Sequence, residues 1–156
     1  MLEFFYKGDN LAIVNDNKKE INFFLQEKTV LLDGFDINFP GEYEKSEILL
    51  EVMEKQENLF YKFNAEKVRI VILTSDSFEL NEENLSFFGD VDVLILPGTK
   101  NAVKIYENIE AKLVLPYGEE KDIFFNTLAQ HKEAVKSYKL KGELAGDITE
   151  FVNLEK

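Results

Sequence analysis

The chain has 156 residues, one histidine, no cysteine and a formal net charge of −12, with 18 Lys and Arg against 30 Asp and Glu. Phosphate recognition needs clustered basic residues, and Arg69 is the only arginine, so nucleic-acid binding and an anionic membrane surface are both disfavoured. A lone His131 and no thiol exclude a Cys/His metal cluster and thiolate chemistry, while 45% hydrophobic residues, 14 of the 156 being Phe, suffice for a buried core and one domain spanning 1–156.

The N-terminus, Met1 to Lys7, lacks a basic region followed by a long apolar stretch, and no apolar run is long enough to span a bilayer. A cytoplasmic location is the expectation. Leu2–Tyr6, Leu11–Val14, Glu20–Leu25 and Thr29–Leu32 then read as short strands. Turn signals at Lys7-Gly8-Asp9-Asn10, Asn15-Asp16-Asn17 and Asp33-Gly34 separate them. Glu47–Met53 and Leu59–Phe63 form an expected hairpin across Glu54–Asn58. Between these groups, Pro40 and Gly41 predict a structural corner, with Glu42 and Tyr43 following: Pro fixes φ and Gly supplies a positive one. Tyr43 is expected to pack its ring and hydrogen-bond its hydroxyl.

After this the rhythm changes. Val68–Leu73 is a continuous apolar strand broken only by Arg69. A helix follows, with Asn81 as N-cap, Leu80 and Leu85 as a hydrophobic staple and Gly89 as its C-terminal stop. Val91–Leu96 is the next buried strand. A helix over Asn101–Ile109 places Ala102, Ile105 and Ile109 on one face. Strand Lys112–Leu115, a helix over Glu119–His131, and strands over Val135–Leu140 and Asp147–Phe151 complete the chain. Alternating buried strands and helices predict an α/β architecture with a helix-covered sheet. The doubled residues Phe4-Phe5, Phe23-Phe24, Phe87-Phe88 and Phe124-Phe125 are expected in a layered core, because adjacent strand residues face opposite ways, the alternative being a partner surface that covers one ring. His131 is expected to be a half-buried structural histidine on the apolar side of its helix.

No Gly-rich phosphate loop or GxSxG elbow is present. One candidate cleft emerges from the buried strands. Asp76 follows the first, Pro97-Gly98-Thr99-Lys100 the second, and Pro116-Tyr117-Gly118-Glu119 the third. If those strands are parallel, the loops share the carboxyl edge where ligands of open α/β sheets bind. Asp76, Thr99, Lys100, Tyr117 and Glu119 are therefore the candidate cleft residues. Ordinary turn and capping chemistry satisfies each loop equally well.

Phe39-Pro40-Gly41-Glu42-Tyr43-Glu44 resembles the PGEYE motif of the small lactonase-like branch of the metallo-β-lactamase superfamily. Val71 to Asp76 stands in the place of that family's strand ending in a His-Leu-Gly-Asp-like run. Leu80–Leu85 is similar to its short acidic helix, Gly89 to Pro97 to its G-x-V-D segment, and Leu113 to Gly118 to its hydrophobic-Pro-x-His segment. The resemblance runs from about Phe39 to Phe125, with a weaker match over Gly8–Val14. It implies an α/β/β/α sandwich, in reduced form, with one outer helix layer incomplete.

The family's His-x-His-x-Asp-His cluster is missing, and Gly118 stands where its late histidine would be. Of the ligand set only Asp76 matches, too few for a catalytic zinc. The reading is a metal-free, non-catalytic protein with no cofactor and no catalytic residue, acting by binding or assembly. A homodimer, or a protein partner on an apolar sheet face left uncovered, is the expected mode. One alternative is a metal-dependent hydrolase of a small phosphorylated or lactone-like substrate, with Asp76, Glu119 and Glu42 as oxygen ligands. Another is an acidic decoy for a basic partner.

Overall fold

The computed structural model describes residues 1–77, 79–141, 144 and 148–156. Strands β1 (Leu2–Lys7), β2 (Asn10–Val14), β3 (Glu20–Phe24), β4 (Thr29–Leu32) and β5 (Phe35–Ile37) form an antiparallel meander. Alternation explains why they pair in this register. Leu2, Phe4, Leu11, Ile13, Ile21, Phe23, Val30 and Leu32 all fall on one buried face.

Next come β6 (Gly41–Lys45), β7 (Ile48–Lys55), β8 (Asn58–Ala65) and β9 (Val68–Leu73), again antiparallel. Two-residue turns join them at Ser46-Glu47, Gln56-Glu57 and Glu66-Lys67, with positive φ at every central residue, the signature of type I′ hairpins. The remaining elements are α1 (Glu82–Phe88), β10 (Val93–Pro97), α2 (Lys100–Asn108), β11 (Leu113–Tyr117), α3 (Lys121–Thr127), β12 (Ala134–Val135), β13 (Ser137–Leu140), β14 (Glu150–Phe151) and β15 (Asn153–Leu154).

Two sheets result, with strand orders β13-β1-β2-β3-β4-β5 and β14-β11-β10-β9-β8-β7-β6, beside a small parallel pair of β12 and β15. In the second sheet β9, β10, β11 and β14 are parallel. That is why Ile70–Leu73, Val93–Leu96 and Leu113–Leu115 are buried on both faces. Their inward residues Ile70, Ile72, Val93, Ile95, Leu113 and Leu115 meet the first sheet, and Val152 and Leu154 join the same cluster. Their outward residues Val71, Leu73, Leu94, Leu96 and Val114 meet Phe88 of α1, Ala102 and Ile105 of α2, and Phe124 and Phe125 of α3.

The layer order is therefore β/β/α. The helix layer expected to be incomplete is absent from the outer side of the first sheet among the described residues. This splits the phenylalanine pairs. Both rings of Phe124-Phe125 are buried under the helix layer. In the strand pairs only Phe4 and Phe23 enter the core, while Phe5 and Phe24 lie half-buried on the bare face.

Other elements differ in extent from the sequence reading. β5 is additional. The hairpin turn contracts to Gln56-Glu57, and the strand expected over Val135–Leu140 breaks at Lys136. The expected strand over Asp147–Phe151 appears as Glu150–Phe151, with Asp147 outside the described residues. α3 ends at Thr127, because Ala129 adopts φ 54° and stops the helix without a glycine. His131 consequently lies beyond the helix and is exposed, not half-buried on its apolar side. Among the described residues no helix is long and apolar enough to cross a membrane.

Candidate functional site

The parallel register of β9, β10 and β11 brings the three predicted loops to one edge. Two of the five predicted residues meet there directly. The Thr99 hydroxyl donates to Asp76 Oδ2 at 2.6 Å and accepts the Ala102 amide at 3.2 Å, capping α2. The other Asp76 oxygen accepts from the Ser77 hydroxyl at 3.3 Å. Asp76 thus stands behind the cap of α2 and joins β9 to β10 at their carboxyl ends. Lys100 and Glu119 are exposed to solvent at the same edge.

Tyr117 turns the other way. Its ring enters the space between the sheets, where it meets Phe23 edge-on at 5.1 Å and is 7% exposed. Its hydroxyl donates to the Leu73 carbonyl at 2.7 Å, spanning from β11 to the end of β9. Burial pushes the Tyr117 phenol well above its ordinary pKa. The sandwich interior beneath Asp76 is filled by this ring.

The chain's last strand closes the same edge. The Lys121 ammonium, at the start of α3, donates to the Leu154 carbonyl at 2.6 Å, and burial lowers its pKa. Leu154 is fully buried in the inter-sheet core. Lys156 reaches Asp9 at 3.4 Å and lies 5.9 Å from the Tyr6 ring. Lys121, Leu154 and Tyr6 carried no local signal in the sequence, since their association depends on docking the two chain ends. In the sequence Gly98 reads only as part of a loop. A Cβ there would stand 2.5 Å from Lys121 Cα, so glycine is what lets the β10–α2 loop back onto α3.

The expected corner resolves into two parts. Phe39 and Pro40 form a bend, and Gly41 opens strand β6, which continues through Glu42 and Tyr43. Gly41 has φ 147°, which favours glycine. The Tyr43 hydroxyl donates to the Phe39 carbonyl at 2.7 Å, laying the ring over Gly41. Glu42 does not approach Asp76. It is aligned with Glu51, Lys62 and Val71 across the sheet, three strand spacings or about 14 Å from β9.

On the opposite edge of the parallel strands Arg69 and Asp92 form a multiply bonded ion pair. Asp92 accepts from the Arg69 amide at 2.9 Å and from its guanidinium at 3.2 and 3.3 Å, which ties β9 to the approach of β10. The bare face of the first sheet is narrow in apolar content. Phe5, Val14, Phe24 and Leu31 are half-buried, and Ala12 is fully buried. Lys7 pairs with Glu20 across Ala12, since their cross-strand partners Asn10 and Val14 flank it.

A zinc centre does not fit these residues. Among the described residues no group of three or more His, Cys, Asp and Glu side chains converges. Both oxygens of Asp76 are engaged by hydroxyl groups, and His131 is exposed beyond α3.

The fold itself is that of a known class. A crystal structure from Thermotoga maritima, described as a Zn-dependent hydrolase of the metallo-β-lactamase superfamily by assignment, superposes with a TM-score of 0.77 over 100% of both chains at 20% sequence identity. The chain therefore has a metallo-β-lactamase-like fold. No protein-family profile matches it, and no curated protein sequence matches it.

Proposed function

We propose that this protein is a metal-free, non-catalytic version of the metallo-β-lactamase-like fold that works by binding other molecules. The observation that carries the reading is the engagement of Asp76. On the loop after β9 the Asp76 carboxylate is hydrogen-bonded to Thr99 and Ser77, Thr99 caps a helix, and Glu79 further along accepts from the Asn81 side-chain amide. A catalytic zinc needs about three protein ligands, and the residues gathered at this edge offer a hydroxyl-bound carboxylate, an inward phenol and the exposed Glu119. The carboxylate-only hydrolase loses its third ligand, because Glu42 is three strand spacings, about 14 Å, from β9 and in register with Val71, five residues before Asp76.

Elemental analysis of the purified protein, with thermal melts in the presence and absence of a chelator, tests this. The expected result is no stoichiometric zinc, manganese or iron and an unchanged melting temperature. Stoichiometric metal with a chelator-induced drop would overturn the reading.

A further inference from the structure

The two sheets end side by side at β5 and β6, with only Asn38, Phe39 and Pro40 between them. Each strand is the last of its sheet, so β6 has one hydrogen-bonding side unpaired. Glu42 and Glu44 share one face of β6, in register with Glu51 and Leu49 of β7. Tyr43 occupies the other face, opposite Leu50, and packs on the inter-sheet core. On that inner side a cavity of about 390 Å³ is lined by Leu32, Phe35, Ile37, Tyr43, Glu44 and Lys45. Phe35 beside it is 61% exposed, and Phe39 of the adjoining bend is 69% exposed.

We infer that β6 is a docking edge for an extended basic segment of another protein, one with Lys or Arg at alternate positions and an apolar residue between them. Strand addition supplies main-chain hydrogen bonds, and alternate side chains supply specificity. Residues two apart on a strand share a face at the spacing of Glu42 and Glu44. Two basic side chains of the incoming strand would therefore meet those glutamates while the residue between them enters the apolar cavity.

Charge selects this occupant. The nearby cations on the glutamate face are already engaged: Lys62 donates to the Phe87 carbonyl at 2.6 Å, and Arg69 is held by Asp92. Lys45, on the cavity side, donates to the Asp33 carbonyl at 2.7 Å and lies 3.7 Å from the Phe35 ring centre. The net charge of −12 steers a basic partner toward the molecule. A second copy is disfavoured. Antiparallel pairing of β6 with itself about Tyr43 sets Glu42 opposite Glu44, and the chain's own Lys139-Leu140-Lys141 run has its leucine committed to the core.

The inference rests on the reading of the protein as a binder, yet its test is independent of metal content. Labelled Lys-Val-Lys-Val-Lys peptide is titrated by fluorescence anisotropy, with Lys-Lys-Lys-Val-Val and Glu-Val-Glu-Val-Glu as comparisons. Binding of the alternating basic peptide, weakened by salt and about ten-fold tighter than the reordered one, is expected. The Glu42→Lys, Glu44→Lys double variant, whose substitutions are both exposed, should keep its melting temperature and bind about ten-fold more weakly. Hydrogen exchange should show new protection within Gly41–Lys45. Equal affinity for both basic peptides, an unaffected double variant, protection elsewhere, or no binding at millimolar peptide would overturn the inference. A dimer that protects these same amides would assign the edge to a second copy and also overturn it.

Discussion

Thr99 is shared between a carboxylate and a helix: its hydroxyl donates to Asp76 at 2.6 Å while accepting the Ala102 amide at 3.2 Å. A hydroxyl that donates to an anion becomes a better acceptor, because charge-assisted hydrogen bonds polarise their neighbours. Asp76 thus acts on α2 through Thr99. Thr99→Ala should cost about 1 kcal/mol, the ordinary worth of an N-cap. Asp76→Ala should cost about 0.5–1 kcal/mol, and the double variant should cost less than the sum of the two. Chemical denaturation of the four proteins measures the coupling. A stability gain in Asp76→Ala would mark the carboxylate as a strained functional group rather than a support for the cap.

Gly98 makes the same edge possible from the other side. The nearest heavy atoms to a Cβ at this position would be Lys121 Cα at 2.5 Å and Lys121 Cβ at 2.6 Å, and backbone cannot swing away as a flexible side-chain tip can. Gly98→Ala is therefore an overpacking substitution and should destabilise by about 1–3 kcal/mol. It should also loosen the contact of Lys121 with the Leu154 carbonyl, releasing the C-terminal strand. Thermal melts give the first effect and amide exchange in residues 150–156 the second. Wild-type values for both would show that the loop moves freely off α3.

The central strands were legible because burial on both faces leaves a continuous apolar run, as at Val68–Leu73. The α1 boundaries were legible through Asn81, which accepts the Asn84 amide, and Gly89, whose amide bonds to Leu85. The turns from β6 to β9 were not. Six non-glycine residues hold positive φ there, and none is Asn or Asp, so the usual hairpin signal is missing and Glu54–Asn58 reads as a longer loop than the two-residue turn at Gln56-Glu57. The candidate edge was legible as a set of loops, since it depends only on parallel order. The direction of Tyr117 was not, because pointing inward requires Phe23 of the other sheet as a partner.

That missing turn chemistry gives a stabilising prediction. Gln56 and Glu57 hold φ 51° and 66°, a left-handed conformation costing roughly 1–2 kcal/mol per ordinary L-residue. Gln56→Asn with Glu57→Gly supplies the residues that type I′ turns favour. The Asn58 side chain bonds the Gln56 carbonyl, a backbone group that the change preserves. The double variant should gain about 1 kcal/mol, raising the melting temperature by about 2–4 °C for a chain of this size. A fall in stability would show that these side chains make contacts worth more than the relieved backbone.

The alkaline limb of the stability curve follows from the buried phenols. Burial pushes the Tyr6 pKa from 10.0 up to about 12, and raises Tyr61 and Tyr117 in the same direction. Tyr61 is fixed by donating to the Ile37 carbonyl at 2.8 Å, as Tyr117 is to Leu73. Below pH 10 these groups are protonated in both the folded and the unfolded chain, so they contribute no pH dependence. Between pH 10 and about 12 the unfolded chain loses their protons while the folded chain keeps them. The unfolded state then binds fewer protons, so stability falls as pH rises through this window. Denaturant titrations at stepwise alkaline pH should show the decline, with phenolate absorbance from these tyrosines appearing together with unfolding. Tyr6→Phe should flatten the slope between pH 10 and about 12. The chain has six tyrosines, so the assignment comes from the variant: phenolate absorbance that precedes the loss of structure and is missing from Tyr6→Phe would mean that Tyr6 ionises in the folded protein.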